Sequence, residues 1–150
     1  MHYSLPQIYI KMKTSIIYNS HSGTTKAYAE EIGNFLSGNG IECRISSIDD
    51  YDKEYLLSSD LVMLGCWTNG LMIFAQHPDK AWKKFVEEMP DIRKKTLALF
   101  TTYKIATGSM FRKMEKILSD KSDRPKAILK SRSKELTEEN RSTLEVLINT

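Results

Sequence analysis

Cysteine is scarce in this chain. Cys43 and Cys66 stand far apart without a CxxC pair, and the histidines do not cluster. That pattern gives no frame for a structural zinc site and leaves reduced thiols in the cytoplasm as the expectation. No apolar run approaches the ~20 residues of a membrane helix, and no signal-peptide pattern opens the chain. Internal repeats and low-complexity segments are absent as well. So are Ser-His-Asp and Cys-His arrangements and supported carboxylate pairs; His77, before Pro78, has no nucleophile to serve. The sequence therefore offers no nucleophilic or acid–base catalytic centre of its own.

What is present is one domain's worth of chain, 150 residues at 41% apolar composition, enough for a sizeable core. The net charge of +3 is mild but unevenly spread. Residues 30–60 carry Glu30, Glu31, Glu42, Asp49, Asp50, Asp52, Glu54 and Asp60 against Arg44 and Lys53. Residues 104–134 reverse the balance with Lys104, Arg112, Lys113, Lys116, Lys121, Arg124, Lys126, Lys130, Arg132 and Lys134. The basic block lacks interleaved aromatics and nucleic-acid-binding motifs, so it reads as a solvated face rather than a nucleic-acid site.

From Thr14 onward the periodicity alternates between strand and helix. Ile16–Tyr18 reads as a buried strand, and Tyr28, Ile32, Phe35 and Leu36 set a helix over Thr24–Leu36 that ends at Gly38-Asn39-Gly40. Ile41, Cys43 and Ile45 alternate as a second strand, and Asp49–Ser58 holds a turn or a brief helix. Leu61–Gly65 is a continuous apolar run, as a central strand buried on both faces requires. Trp82, Phe85, Val86 and Met89 mark a helix that stops at Pro90. Thr96–Phe100 forms the fourth strand, Met110–Leu118 a helix and Ala127–Leu129 a short fifth strand. Thr137 caps a last helix that turns Leu144, Leu147 and Ile148 inward. Residues 1–11, interrupted by Pro6, do not join the pattern and read as an N-terminal extension that need not be ordered. Five strands alternating with helices imply a parallel sheet covered on both faces, an α/β architecture whose strand order local pattern does not fix.

The turn after the first strand carries the most chemistry. Ser20, Ser22, Thr24 and Thr25 crowd it with hydroxyls, and Gly23 allows a tight curl. A helix begins there, with free amides and the positive end of its dipole directed at the turn. Such a turn suits a compact phosphate; the same hydroxyls also suit an ordinary helix cap, and spacing alone does not choose.

Ser20-x-Ser22-Gly23-x-Thr25 after an apolar strand resembles the (S/T)-x-(S/T)-G-x-T phosphate loop of flavodoxins, with Thr24 where many members have Asn. The likeness continues through Gly65-Cys66-Trp67-Thr68-Asn69-Gly70 and covers nearly everything after Met12. It implies a flavodoxin-like domain over residues 12–150: a three-layer sandwich with a five-stranded parallel sheet in order 2-1-3-4-5. It also implies FMN as cofactor, with Ser20, His21, Ser22, Gly23, Thr24 and Thr25 around its phosphate.

A second loop, Cys66, Trp67, Thr68, Asn69 and Gly70, would flank the flavin ring. Its tryptophan comes two residues before the position that many members give to an aromatic. Trp67 suits a stack on the ring or packing against the Trp82 helix. In the family a peptide of this loop turns over when the flavin gains an electron, and Asn69-Gly70 suits that turn. Thr101, Thr102, Tyr103 and Lys104 would form a third loop, with Tyr103 as the other aromatic wall. Lys104 is unlike the carboxylates that surround the flavin in many members, and a cation there favours the anionic reduced flavin.

The resemblance thus implies an electron carrier that shuttles single electrons between redox partner proteins, and the basic block of this chain favours an acidic partner. The alternatives are a small FMN-dependent NAD(P)H or quinone reductase and a binding module of the same fold without flavin.

Overall fold

The computed structural model describes residues 12–69 and 76–149. Its elements alternate in chain order: β1 (Lys13–Asn19), α1 (Thr24–Gly38), β2 (Glu42–Ser47), α2 (Lys53–Ser58) and β3 (Leu61–Trp67). They continue with α3 (Lys80–Glu88), β4 (Thr96–Thr102), α4 (Met110–Leu118), β5 (Ala127–Ser131) and α5 (Glu138–Ile148). All neighbouring strands pair in parallel, in the order β2-β1-β3-β4-β5. This is the expected flavodoxin-like three-layer sandwich.

The alternation of side chains along each strand builds the layers. On β3, Leu61 and Met63 face one side with Ile16, Ala98, Phe100 and Leu129, where Tyr28, Ile32 and Leu36 of α1 and Leu144 and Leu147 of α5 cover them. Val62, Leu64 and Cys66 face the other side with Ile17, Leu97 and Leu99, beneath Trp82, Phe85 and Val86 of α3 and Met110, Phe111 and Met114 of α4. Each fully buried large side chain of this kind contributes about 1.5–3 kcal/mol, so both faces of the central strands hold the sheet.

The ends of the elements carry local signals. Asp52 caps α2 by accepting from the amides of Glu54 and Tyr55. Thr137 caps α5 in a reciprocal box with Asn140, whose side-chain oxygen also accepts from the buried Tyr28 hydroxyl at 2.6 Å.

All five strands run further than their apolar cores imply, β1 to Asn19 and β2 to Ser47. Cys66 and Trp67 belong to β3, Thr101 and Thr102 to β4, and Lys130 and Ser131 to β5. The expected loop of Thr101–Lys104 therefore starts only at Tyr103. Threonine is β-branched, and side-chain partners satisfy both buried hydroxyls, so the ladder continues through them. The extension read in residues 1–11 and the turn residue Gly70 lie outside the described residues.

Candidate functional site

In the sheet, β1 and β3 are neighbours, with Asn19 beside Cys66 at their carboxyl ends. From there β1 leads to α1 on one face of the sheet and β3 to α3 on the other. A crevice opens where the connections part in this way. The turn between β1 and α1 sits at that crevice.

Gly23 is the N-cap of α1 at φ +94° and provides no capping side chain. A left-handed backbone of this kind strains most residues, and glycine adopts it freely. Ser20 takes over the cap from three residues upstream: its Oγ accepts from the amides of Gly23 at 3.1 Å and Lys26 at 3.3 Å. The amides of Thr24 and Thr25 have no acceptor among the described residues. Ser22 Oγ and Thr24 Oγ1 lie 3.2 Å apart beside them. Free amides at the positive end of a helix, ringed by neutral hydroxyls, form a donor set that fits a phosphate monoester. Thr25 differs from its neighbours. It is 1% exposed, and its Oγ1 shares a 2.6 Å hydrogen bond with Thr102 Oγ1 at the end of β4.

Threonines also join the next two segments. The Thr68 amide donates to the Thr102 carbonyl at 2.9 Å, and the hydroxyls of Thr68 and Thr101 are 2.8 Å apart. Thr101 Oγ1 in turn donates to the Cys66 carbonyl at 2.5 Å. The turn after β1 and the ends of β3 and β4 thus form one connected edge.

Trp67 is half-buried against the core cluster that holds Trp82, and it also stacks with His21, ring centroids 4.6 Å apart at 26°. His21, expected around the phosphate, is exposed and reaches across the crevice mouth to the end of β3. Asn69 exchanges both backbone hydrogen bonds with His77, at 3.1 and 3.0 Å. Turning over the peptide that carries the Asn69 carbonyl breaks the bond from the His77 amide, a cost of about 1 kcal/mol.

Cys66 is placed away from the open edge. It is fully buried in the core, and burial pushes its thiol up to about 12. Tyr103 is half-buried, and its amide donates to the Ser131 carbonyl at 3.1 Å. Its ring lies 6.0 Å from Lys130 Nζ and 5.7 Å from Arg132 Cζ. Lys104 is exposed beside it.

Asn19, Asp79 and Ile105 at this edge escaped the sequence reading, and Lys113 was read there only as one cation of the basic block. Asn19 Nδ2 donates to Asp79 Oδ2 at 2.9 Å, tying the end of β1 to the start of α3. Asp79 directly precedes a helix, which signals a cap, but its carboxylate serves Asn19 instead. Lys113 Nζ donates to the Gln76 carbonyl at 2.8 Å. Ile105 is 58% exposed next to Lys104, and no periodic pattern singles it out.

These features define a class: a doubly wound α/β domain with a hydroxyl-rich turn and free helix-start amides at its switch point. The family model for flavodoxin matches residues 16–127, and the chain belongs to the flavodoxin family. It is 29% identical over 101 residues to a flavodoxin of Clostridium beijerinckii, covering 67% of this chain and 71% of that one. Among solved structures it is similar to two-electron reduced Megasphaera elsdenii flavodoxin, with TM-score 0.77 and 20% identity over 91% of this chain and 99% of that one. A Fusobacterium nucleatum flavodoxin mutant bound to flavin mononucleotide gives TM-score 0.56 and 20% identity, covering 78% of this chain and 68% of that one.

Proposed function

We propose that this protein binds FMN at the edge formed by β1, β3 and β4 and works as a carrier of single electrons between redox proteins. The observation that carries this reading is the donor set of the Ser20–Thr25 turn, with the Thr24 and Thr25 amides unpaired beside hydroxyls at the positive end of α1. Ser20, Ser22 and Thr24 hold the phosphate by hydrogen bonds, while Gly23 takes the left-handed backbone at φ +94° that turns the chain into α1. Thr25 acts through its hydroxyl bond to Thr102, which fixes the start of α1 against β4. Trp67, which packs against the core and stacks with His21, and Tyr103 flank the ring. The Thr68, Asn69 and Thr102 backbones line its edge, and Lys104 lends positive charge near it. FMN, when bound, supplies the one-electron chemistry, and the protein supplies binding, orientation and electrostatics.

Membership of the family supports redox proteins as partners. The basic block fits an acidic one, and the two unpaired thiols fit a cytoplasmic setting. Among the described residues no helix is long and apolar enough to cross a membrane. Titration of the protein into free FMN tests the reading. Flavin fluorescence should quench to an end point of one FMN per chain, and fluorescence that stays unchanged contradicts it.

A further inference from the structure

The charge blocks of the sequence lie toward opposite edges of the sheet. Residues 42–60 hold six carboxylates against two cations and include β2, one edge strand. Residues 104–134 hold ten cations against three carboxylates and include β5, the other edge strand. The stretch 124–134 alone has five cations and no carboxylate. On the acidic side, Asp52 engages Arg44 at 3.0 Å. On the basic side no cation forms an ion pair among the described residues. Lys113 and Lys121 are committed to backbone carbonyls. Lys104, Lys130, Arg132 and Lys134 remain exposed, and the Tyr103–Ser131 backbone bond gathers them at the carboxyl ends of β4 and β5. That is the edge of the sheet where the Ser20–Thr25 turn lies.

We infer that Lys104, Lys130, Arg132 and Lys134, set around Tyr103, form the docking surface for a partner protein with a carboxylate-rich face. The redox character of that partner rests on the electron-carrier reading above; its charge and its place on the surface do not. Three features favour such an occupant. Unpaired cations of one sign attract carboxylates, and the opposite charge of the β2 side orients an approaching acidic face toward the β5 side. Lys130 and Arg132 already rest near the Tyr103 ring, so less side-chain freedom is lost on docking. Exposed Ile105 adds apolar area next to the charges, as the centre of a protein interface requires. Nucleic acid fits less well, because among the described residues Tyr103 is the one aromatic ring set among these cations, and successive bases need successive rings to stack on.

Two measurements test the surface. The first uses the protein without flavin and poly-L-glutamate as the acidic probe, in low-salt buffer. Wild type should bind, and added salt should weaken binding. The pair Lys130→Glu and Arg132→Glu should lower affinity about tenfold or more, while Arg112→Glu and Arg124→Glu on the α4 side should change it by less than about threefold. No binding by wild type, equal losses in the two pairs, or tighter binding to a random 20-base-pair DNA duplex at the same salt would overturn the assignment.

The second uses the FMN-loaded, reduced protein and ferricyanide, an anion that takes one electron from the flavin and becomes ferrocyanide. Its rate should fall with salt, and the Lys130/Arg132 pair should slow it about tenfold at low salt. A rate indifferent to both overturns the placement beside the flavin. A protein that takes up no FMN contradicts the carrier reading, and the poly-L-glutamate measurement still decides the surface.

Discussion

Gly65 stands directly opposite Phe100 where β3 pairs with β4. A Cβ added at Gly65 would lie 2.0 Å from the Phe100 ring, far inside van der Waals contact. The ring has no easy way out. Phe100 is fully buried and meets Tyr28 edge-on at 6.0 Å and 73°, and the Tyr28 hydroxyl is held by Asn140 at 2.6 Å. Forcing a methyl group into such a place costs about 1–3 kcal/mol, with the upper end expected where the obstacle is a rigid ring. For a domain of this size about 3 kcal/mol corresponds to roughly 6–12 °C in Tm. Gly65→Ala should therefore melt well below wild type in a thermal scan followed by circular dichroism. Phe100→Leu removes the obstacle at its own cost in lost packing. The double variant should then be more stable than the sum of the two single losses predicts, by about 1 kcal/mol or more. A Gly65→Ala protein within about 1 °C of wild type, or strictly additive losses, would refute the β3–β4 register and with it the position of the Cys66–Asn69 segment.

Three further outcomes follow from the same structure. Burial raises the Cys66 thiol from 9.0 to about 12, so the unfolded chain loses this proton first as pH rises. Its contribution to stability is held below pH 9 and lost between pH 9 and 12, at about 1.4 kcal/mol per pH unit. Cys66→Ala should therefore flatten the alkaline limb of urea midpoint against pH, and identical limbs would contradict the burial. Lys104→Glu should lower the potential for the second electron by tens of millivolts at low salt, the equivalent of about 1 kcal/mol at an exposed site. Potentiometric titration of both proteins checks this, and an unchanged potential removes Lys104 from the site. A chain beginning at Met12 should melt and bind FMN as the full chain does, because β1 starts at Lys13 and the Met12 carbonyl already accepts from Glu42. A large loss of Tm would place Tyr3–Ile10 in the core.

The fold was legible wherever periodicity was strong. Leu61–Leu64 could only be a strand buried on both sides, and Trp82, Phe85 and Val86 only one face of a helix. Thr101 and Thr102 misled the reading because their hydroxyls look like loop chemistry. Their burial depends on Thr25 and Thr68, partners supplied by distant segments. The His21–Trp67 stack and the Asn19–Asp79 bond were invisible for the same reason: each joins residues that only the β1–β3 pairing brings together. The charge blocks were plain in the sequence, but their placement toward opposite edges needed the strand order. The Ser20–Thr25 turn was found by its residues, whereas the roles within it were not. Ser20 caps the helix and Thr25 looks inward, which leaves the Thr24 and Thr25 amides as the free donors.

The measurement that bears most directly on the account is the affinity of the protein for FMN set against riboflavin, read by flavin fluorescence in the same buffer. The two ligands differ only in the phosphate that the Ser20–Thr25 turn is proposed to hold. Two charge-assisted hydrogen bonds lost with that phosphate amount to about 3 kcal/mol, so FMN should bind more than a hundredfold more tightly than riboflavin. Equal affinities would contradict the assignment of the turn as the phosphate site.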